Sequence, residues 1–317
     1  MDNVLVVFLK IMPIILLLLL GVWMRKSHFV SADVISGIKK ITLNIAIPSI
    51  LFTTFFRADM TQEMLMLAAV TFAACLTAFG LGFLIKRQRR STNPYLPALF
   101  TTFLTGPVGF PLFSSYFGEE NLYKLAILDA GHSIFLFTVL IAFMGSAGTK
   151  GTVDGRKNLW VPLCSMLRSP MTIAMIAGIA LSFSGYAPMI EGYPAGAAAL
   201  GAVDLAASSA FSLSLILVGY ELPLRVKKLG RTLADVLLRL GMMLLIAYVL
   251  NTVVIAGWLG LDKTYQMALY TMFLLPPSFI IPLSITEQSE EKQYVMGFIS
   301  LHLVVSMAAF ILLMAVI

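Results

Sequence analysis

Asp129 and His132 stand three residues apart in the apolar run "LYKLAILDAGHSIFLFTVLIAF", 122–143. On a helix that spacing puts both side chains on one face. A carboxylate and an imidazole held half out of water can titrate near neutral pH. The pair could relay a proton or sense the charge of a substrate, or simply cap a polar packing contact. His302, in a second apolar run, is a further candidate for proton or ion coupling. An ionisable group inside a membrane is a functional hypothesis by default.

Other chemistry is scarce. Cys75 and Cys164 lie far apart, with no metal or redox spacing around them. No phosphate loop, metal cluster or nucleophile motif is present. No cofactor, catalytic residue or nucleic-acid partner is expected. The composition points elsewhere: of 317 residues, 59% are hydrophobic and 12% charged, against about 45–50% and ~25% for soluble domains. The lipid bilayer is therefore the expected surrounding.

The elements that must position these groups are apolar segments of roughly 20 residues. Ten are expected, over 3–24, 33–56, 62–85, 95–117, 122–144, 165–186, 202–222, 233–258, 264–285 and 293–316. Eighteen of the 22 Lys and Arg fall in loops on one side, so by the positive-inside rule both termini lie outside. That count includes Arg239, and both Lys10 and Arg239 are expected to snorkel toward the interfaces. Glu221 is expected to pair with the adjacent basic loop.

Segments 4 and 9 are interrupted. "TFLTGPVGFPLFSSYFG", 102–118, holds Gly106, Pro107, Gly109 and Pro111. Proline removes a donor and clashes with the preceding turn, and a bare backbone in hydrocarbon costs several kcal/mol per group. A duplication explains the breaks. "ALFTTFLTGPVGFPL" (98–112) aligns with "ALYTMFLLPPSFIIPL" (268–283) at an offset of 170, then 171 past one inserted residue. Two prolines, the pair Glu119 and Glu120, and Tyr123 recur in order as Pro277, Pro282, Glu290, Glu291 and Tyr294. His302 falls within one residue of the repeat position of His132.

Five segments per half is an odd number, so the second half enters the membrane inverted. The expected fold is an all-α polytopic membrane protein of two inverted five-helix repeats, 1–144 and 165–317, joined by a cytoplasmic linker, 145–164. The broken helices 4 and 9 cross at the midplane. Such paired breaks are the best sequence pointer to a carrier's binding site. Half-helices beginning near Pro111 and Pro282 would aim positive dipole ends at an anion. The candidate site residues are Asn44, Thr105, Gly106, Pro107, Gly109, Pro111, Pro276, Pro277, Ser278 and Pro282.

These motifs resemble the auxin efflux carrier family, within the bile-acid/arsenite/riboflavin transporter group. "LNIAIPSILFTTFF" (43–56) is similar to its second helix, with Asn44 and Pro48 in the family positions. "VGFPLFSSYFG" resembles the Gly-x-Pro-Leu crossing, "LLPPSF" (274–279) the Pro-Pro of helix 9, and "LSLILVGYEL" (213–222) the end of helix 7. The chain departs from the family at Leu104, where Asn is frequent, and at Pro107, where an apolar residue is usual. The resemblance implies a scaffold of helices 1, 2, 6 and 7, an elevator-like transport bundle, a homodimer, and organic anions such as carboxylates as substrates. A secondary carrier in a bacterial inner membrane is the expected function. A sodium-coupled symporter, a ligand sensor and an intramembrane enzyme are the alternatives.

Overall fold

A backbone in lipid must bond within its own segment, which leaves the helix as the only open-chain solution. The computed structural model describes residues 2–58, 62–140, 143–144, 168–222, 229–283, 285 and 289–316, and no strand occurs among them. The expected linker, 145–164, and Cys164 lie outside the described residues.

The first half contains α1 (Asp2–Lys26), α2 (Ala32–Ile41), α3 (Ile47–Phe56) and α4 (Gln62–Gln88). Then come α5 (Leu96–Leu99), α6 (Phe110–Phe117) and α7 (Leu122–Phe135). The second half contains α8 (Pro170–Phe183), α9 (Ala187–Gly192), α10 (Pro194–Ser208) and α11 (Ala210–Glu221). It ends with α12 (Leu229–Leu250), α13 (Lys263–Leu274), α14 (Ile280–Leu283) and α15 (Glu290–Val316). Wide π turns join α2 to α3 over Thr42–Ala46, lead into α6 over Thr105–Gly109, and extend α12 over Asn251–Trp258.

Seven helical runs among the described residues are long and apolar enough to cross a membrane. The other three expected segments differ in form. The run at 165–186 appears as α8, whose 14 residues span about 21 Å, and it begins beside undescribed residues. The runs at 95–117 and 264–285 are broken, as the prolines predict.

Helices pack in two groups. In one, α1 lies along α11, and α3 lies along α8 and α10. In the other, α4 packs on α5 and α7, α12 on α13 and α15, and α13 on α7. The groups meet where α1 touches α6 and α15, and where α11 meets the π turn at 105–109. Ion pairs respect this division. Arg57 holds Asp204 at 2.9 Å and Glu191 at 3.2 Å, and Lys39 holds Glu221 at 2.6 Å, all within the first group. Glu221 thus pairs across the first group with Lys39 rather than with the basic loop that follows it in sequence, of which residues 223–228 lie outside the described residues. Arg89–Asp235 at 3.1 Å and Lys124–Asp262 at 2.6 Å lie within the second.

Backbone contact fixes the α1–α11 seam. A Cβ on Gly21 would sit 2.1 Å from the Ile216 carbonyl oxygen, and one on Gly219 would sit 2.0 Å from that of Leu18. Neither helix can retreat without opening the seam. Gly219→Ala is therefore expected to destabilise the protein by about 1–3 kcal/mol, read as a lower midpoint of thermal unfolding in detergent. Gly37→Ala, where a Cβ would meet nothing within 4 Å, should not lower it.

Candidate functional site

At both breaks the backbone leaves the helix for a few residues, and each freed polar group then needs a partner. Leu104 sits at φ −92°, ψ 60°, and Leu275 is extended at φ −63°, ψ 150°. The two breaks serve each other. The Leu104 N–H donates to the Pro276 carbonyl at 2.8 Å, and the Ser278 N–H donates to Thr102 Oγ1 at 3.1 Å. Phe103 and Phe273, related by the offset of 170, face each other with ring centroids 5.0 Å apart. Pro276 and Pro277 bring no N–H of their own, so the second break has two fewer donors to satisfy.

Side chains close the remaining accounts. His132 is buried, and its Nε2 accepts from the Phe103 N–H at 3.2 Å. A backbone N–H can only donate, so the neutral ring carries its proton on Nδ1, 3.0 Å from Asp129 Oδ1. The two residues share one face, as their spacing predicts, and Asp129 keeps 21% of its side chain exposed.

Arg239 corrects the sequence reading. It does not snorkel: it is fully buried. Its Nη2 donates to the Thr102 carbonyl at 2.7 Å and its Nη1 to the Leu275 carbonyl at 2.8 Å. Nη1 also lies 2.6 Å from His302 Nε2. The guanidinium can only donate, so His302 accepts there and turns its Nδ1 proton to Ser306 Oγ at 2.8 Å. Ser306 in turn donates to the Leu274 carbonyl. Lys10 is exposed, with its ammonium 4.5 Å from the Tyr116 ring centre.

The remaining predicted site residues fall as follows. Thr105 is buried, and its hydroxyl has no hydrogen-bond partner among the described residues; the same holds for Arg239 Nε. A Cβ on Gly109 would lie 2.6 Å from Leu275 Cδ1, so this glycine gives the second break its seat against the first. Gly106 and Pro107 are half-buried, and Pro111 is buried in the first turn of α6. Pro276, Pro277 and Pro282 are buried, and Ser278 Oγ accepts from the Ile280 N–H at 3.3 Å. Asn44 is exposed, and its amide donates to the Lys40 carbonyl at 2.8 Å. The crossing thus unites Thr105, Gly109, Pro276, Ser278, His132 and His302. Asn44 bonds within its own helix instead. Thr102, Arg239 and Ser306 are the members that the motifs did not mark. The available signal was an arginine inside an apolar run.

One charge pair braces the start of α13. Lys124 is buried, and Asp262 also accepts from the Tyr265 N–H at 3.0 Å, capping that helix. Partial burial works against the Asp262 carboxylate, but the bonds from Lys124 and the Tyr265 backbone outweigh it and hold its pKa below the ordinary value.

An all-helical integral membrane protein with two interrupted helices crossing in its interior is the class these features define. No family model matches the chain. A protein of Methanothermobacter thermautotrophicus described as an uncharacterized transporter is 23% identical over 243 residues, which cover 75% of this chain and 74% of that protein.

A group with a depressed folded pKa adds stability above its unfolded pKa and loses it as pH falls through the folded value. Asp262 should therefore contribute stability above about pH 4, and that contribution should disappear on acidification. Thermal midpoints measured between pH 7 and pH 3 (~4 units,) should fall less steeply for Asp262→Asn than for the wild type.

Proposed function

We propose that the chain is a secondary membrane transporter of small organic anions, with carboxylates as the substrate class. The observation that carries this reading is the meeting of the two breaks at Leu104 and Pro276, 2.8 Å apart. Irregular backbone inside a membrane is tolerated where it is buried in protein or lines a cavity, and paired breaks are where carriers bind their cargo. The likeness to a transporter supports the class. The anion preference follows from the positive end of the helical run that begins at Thr105. The unpartnered Thr105 hydroxyl and the buried Arg239 add donors beside it.

In this reading ten spans form two inverted five-helix repeats. The first packing group is the scaffold, and the second, with the crossing, moves along it. Support comes from the ion pairs described above, each of which stays within one group, so sliding breaks none of them. The family resemblance adds a homodimer in a bacterial inner membrane with both termini outside. The chain acts as a carrier and not as an enzyme.

The test is uptake into proteoliposomes offered a panel of mono- and dicarboxylates under a clamped potential. Saturable, potential-sensitive uptake of at least one acid is expected. Gly109→Leu, which forces Leu275 from its seat, should lower it at least tenfold (~10-fold or more,) while the protein stays folded. Normal uptake by that variant removes the crossing from the substrate path.

Proton coupling passes through Asp129 in this scheme. Protonating His132 at Nε2 would break its bond to the Phe103 N–H, so the proton has to reside on the carboxylate. Asp129→Asn keeps an acceptor for the His132 Nδ1 proton and removes the charge. It should flatten the pH dependence of flux. An unchanged profile leaves Asp129 as a residue that only orients His132.

A further inference from the structure

Arg239 is fully buried, and no carboxylate pairs with it among the described residues. Its partners are the carbonyls of Thr102 at 2.7 Å and Leu275 at 2.8 Å, and the His302 ring at 2.6 Å. Thr102 and Leu275 lie where the two half-helices α5 and α13 run out into the crossing. The Leu275 carbonyl lies at the negative pole of the twelve-residue α13, and the Thr102 carbonyl follows the single turn of α5. In carriers built on broken helices, carbonyls freed in this way are the usual ligands of a coupling sodium ion. Here a guanidinium holds them.

We propose that Arg239 is the resident cation of the crossing, standing where a coupling sodium ion would otherwise sit, so that the anion is carried without sodium. The chain from His302 through Ser306 to the Leu274 carbonyl fixes the guanidinium in place, since each hydrogen in it can point only one way. The mechanistic meaning of this assignment rests on the carrier reading above. If the crossing moves with its cargo, a bound monocarboxylate cancels the arginine. The empty crossing then carries the uncompensated charge. The membrane potential would act on the empty return and not on the loaded passage.

The first experiment needs no substrate. Thermal unfolding of the purified protein is followed in sodium, potassium and choline chloride at equal ionic strength. The wild type should unfold at one temperature in all three. Arg239→Ala should unfold at least about 5 °C lower in choline, with part of the loss recovered by millimolar guanidinium or by sodium entering the vacated place. A sodium-specific rise in the wild type overturns the proposal. So does a folded Arg239→Ala protein that neither cation stabilises. Should the alanine variant not fold, Arg239→Lys restores a compact charge and must remain indifferent to sodium. Wild-type flux in proteoliposomes separates the two readings. Sodium-stimulated uptake of an acid overturns the resident cation and leaves the carrier standing. Absence of uptake for every acid removes the carrier reading, and the sodium-indifferent unfolding still stands as a test of the site.

Discussion

A backbone that leaves the helix inside a membrane must find a partner for every group it frees, because water is not there to supply one. The crossing is organised by that requirement. Neither break can meet it alone. Leu104 needs the carbonyl of Pro276, Ser278 needs the hydroxyl of Thr102, and one guanidinium serves a carbonyl from each side. The two halves of the chain are therefore bound together through their irregular segments as well as through apolar packing. The prolines reduce the demand. By withholding N–H groups they make an extended segment cheaper to bury, which is why the residues that break the helices also make the break tolerable.

The same accounting ties several helices into one body. His132 brings α7 to the first break, Arg239 brings α12 to both, and His302 and Ser306 bring α15 to the second. The other body is joined differently. Its α1–α11 seam runs on glycines that let backbone touch backbone, and its ion pairs among the described residues are those of Arg57 and Lys39. Where the bodies meet, apolar side chains and the half-buried π turn at 105–109 predominate, with Lys10 over the Tyr116 ring as a soft polar contact. Dispersion contacts of this kind can be exchanged for similar ones as surfaces slide. A buried ion pair split the same way would leave a charge unpaired.

The parts of this design that the sequence made legible are those that depend on residue type alone. Clustered proline and glycine mark segments 4 and 9 as interrupted, but the half-helices expected near Pro111 and Pro282 begin earlier: the first break lies at 100–104 with a helical run from Thr105, and the second lies at 275–279 with α14 from Ile280. The duplicated order of Ala, Thr, Phe and Pro identified which breaks belong together. Helical spacing placed Asp129 beside His132. What could not be read was direction. Arg239 looks like a snorkelling residue because it lies six residues into its segment, and only packing decides whether a helix turns that side to lipid or to the crossing. Thr102 is indistinguishable from its neighbour Thr101 until the chain bends between them and the partner strand of backbone arrives. Both hydroxyls bond back along the helix, Thr101 to the Pro97 carbonyl at 2.9 Å and Thr102 to that of Ala98 at 3.3 Å, and only Thr102 also accepts from the Ser278 N–H. Nor could the sequence show that the Asn44 amide donates one turn back, to the Lys40 carbonyl.

Two histidines within one residue of matching positions have different partners, and the reason lies in the helices they face. The position corresponding to Arg239 at an offset of 170 is Ala69. Around it α4 is lined with small residues, and a Cβ on Gly131 would come within 1.9 Å of the Ala68 carbonyl oxygen. That close approach carries α7 far enough in for His132 to take the Phe103 N–H directly. In the second half the Arg239 guanidinium reaches the Thr102 and Leu275 carbonyls, and His302 bonds to the guanidinium. The first break thus receives an acceptor whose far side leads to a largely buried carboxylate. The second receives a fixed positive charge sealed from water. The two breaks are thus completed by different means: the first by a histidine acceptor turned toward Asp129, the second by a buried guanidinium that His302 and Ser306 hold in place.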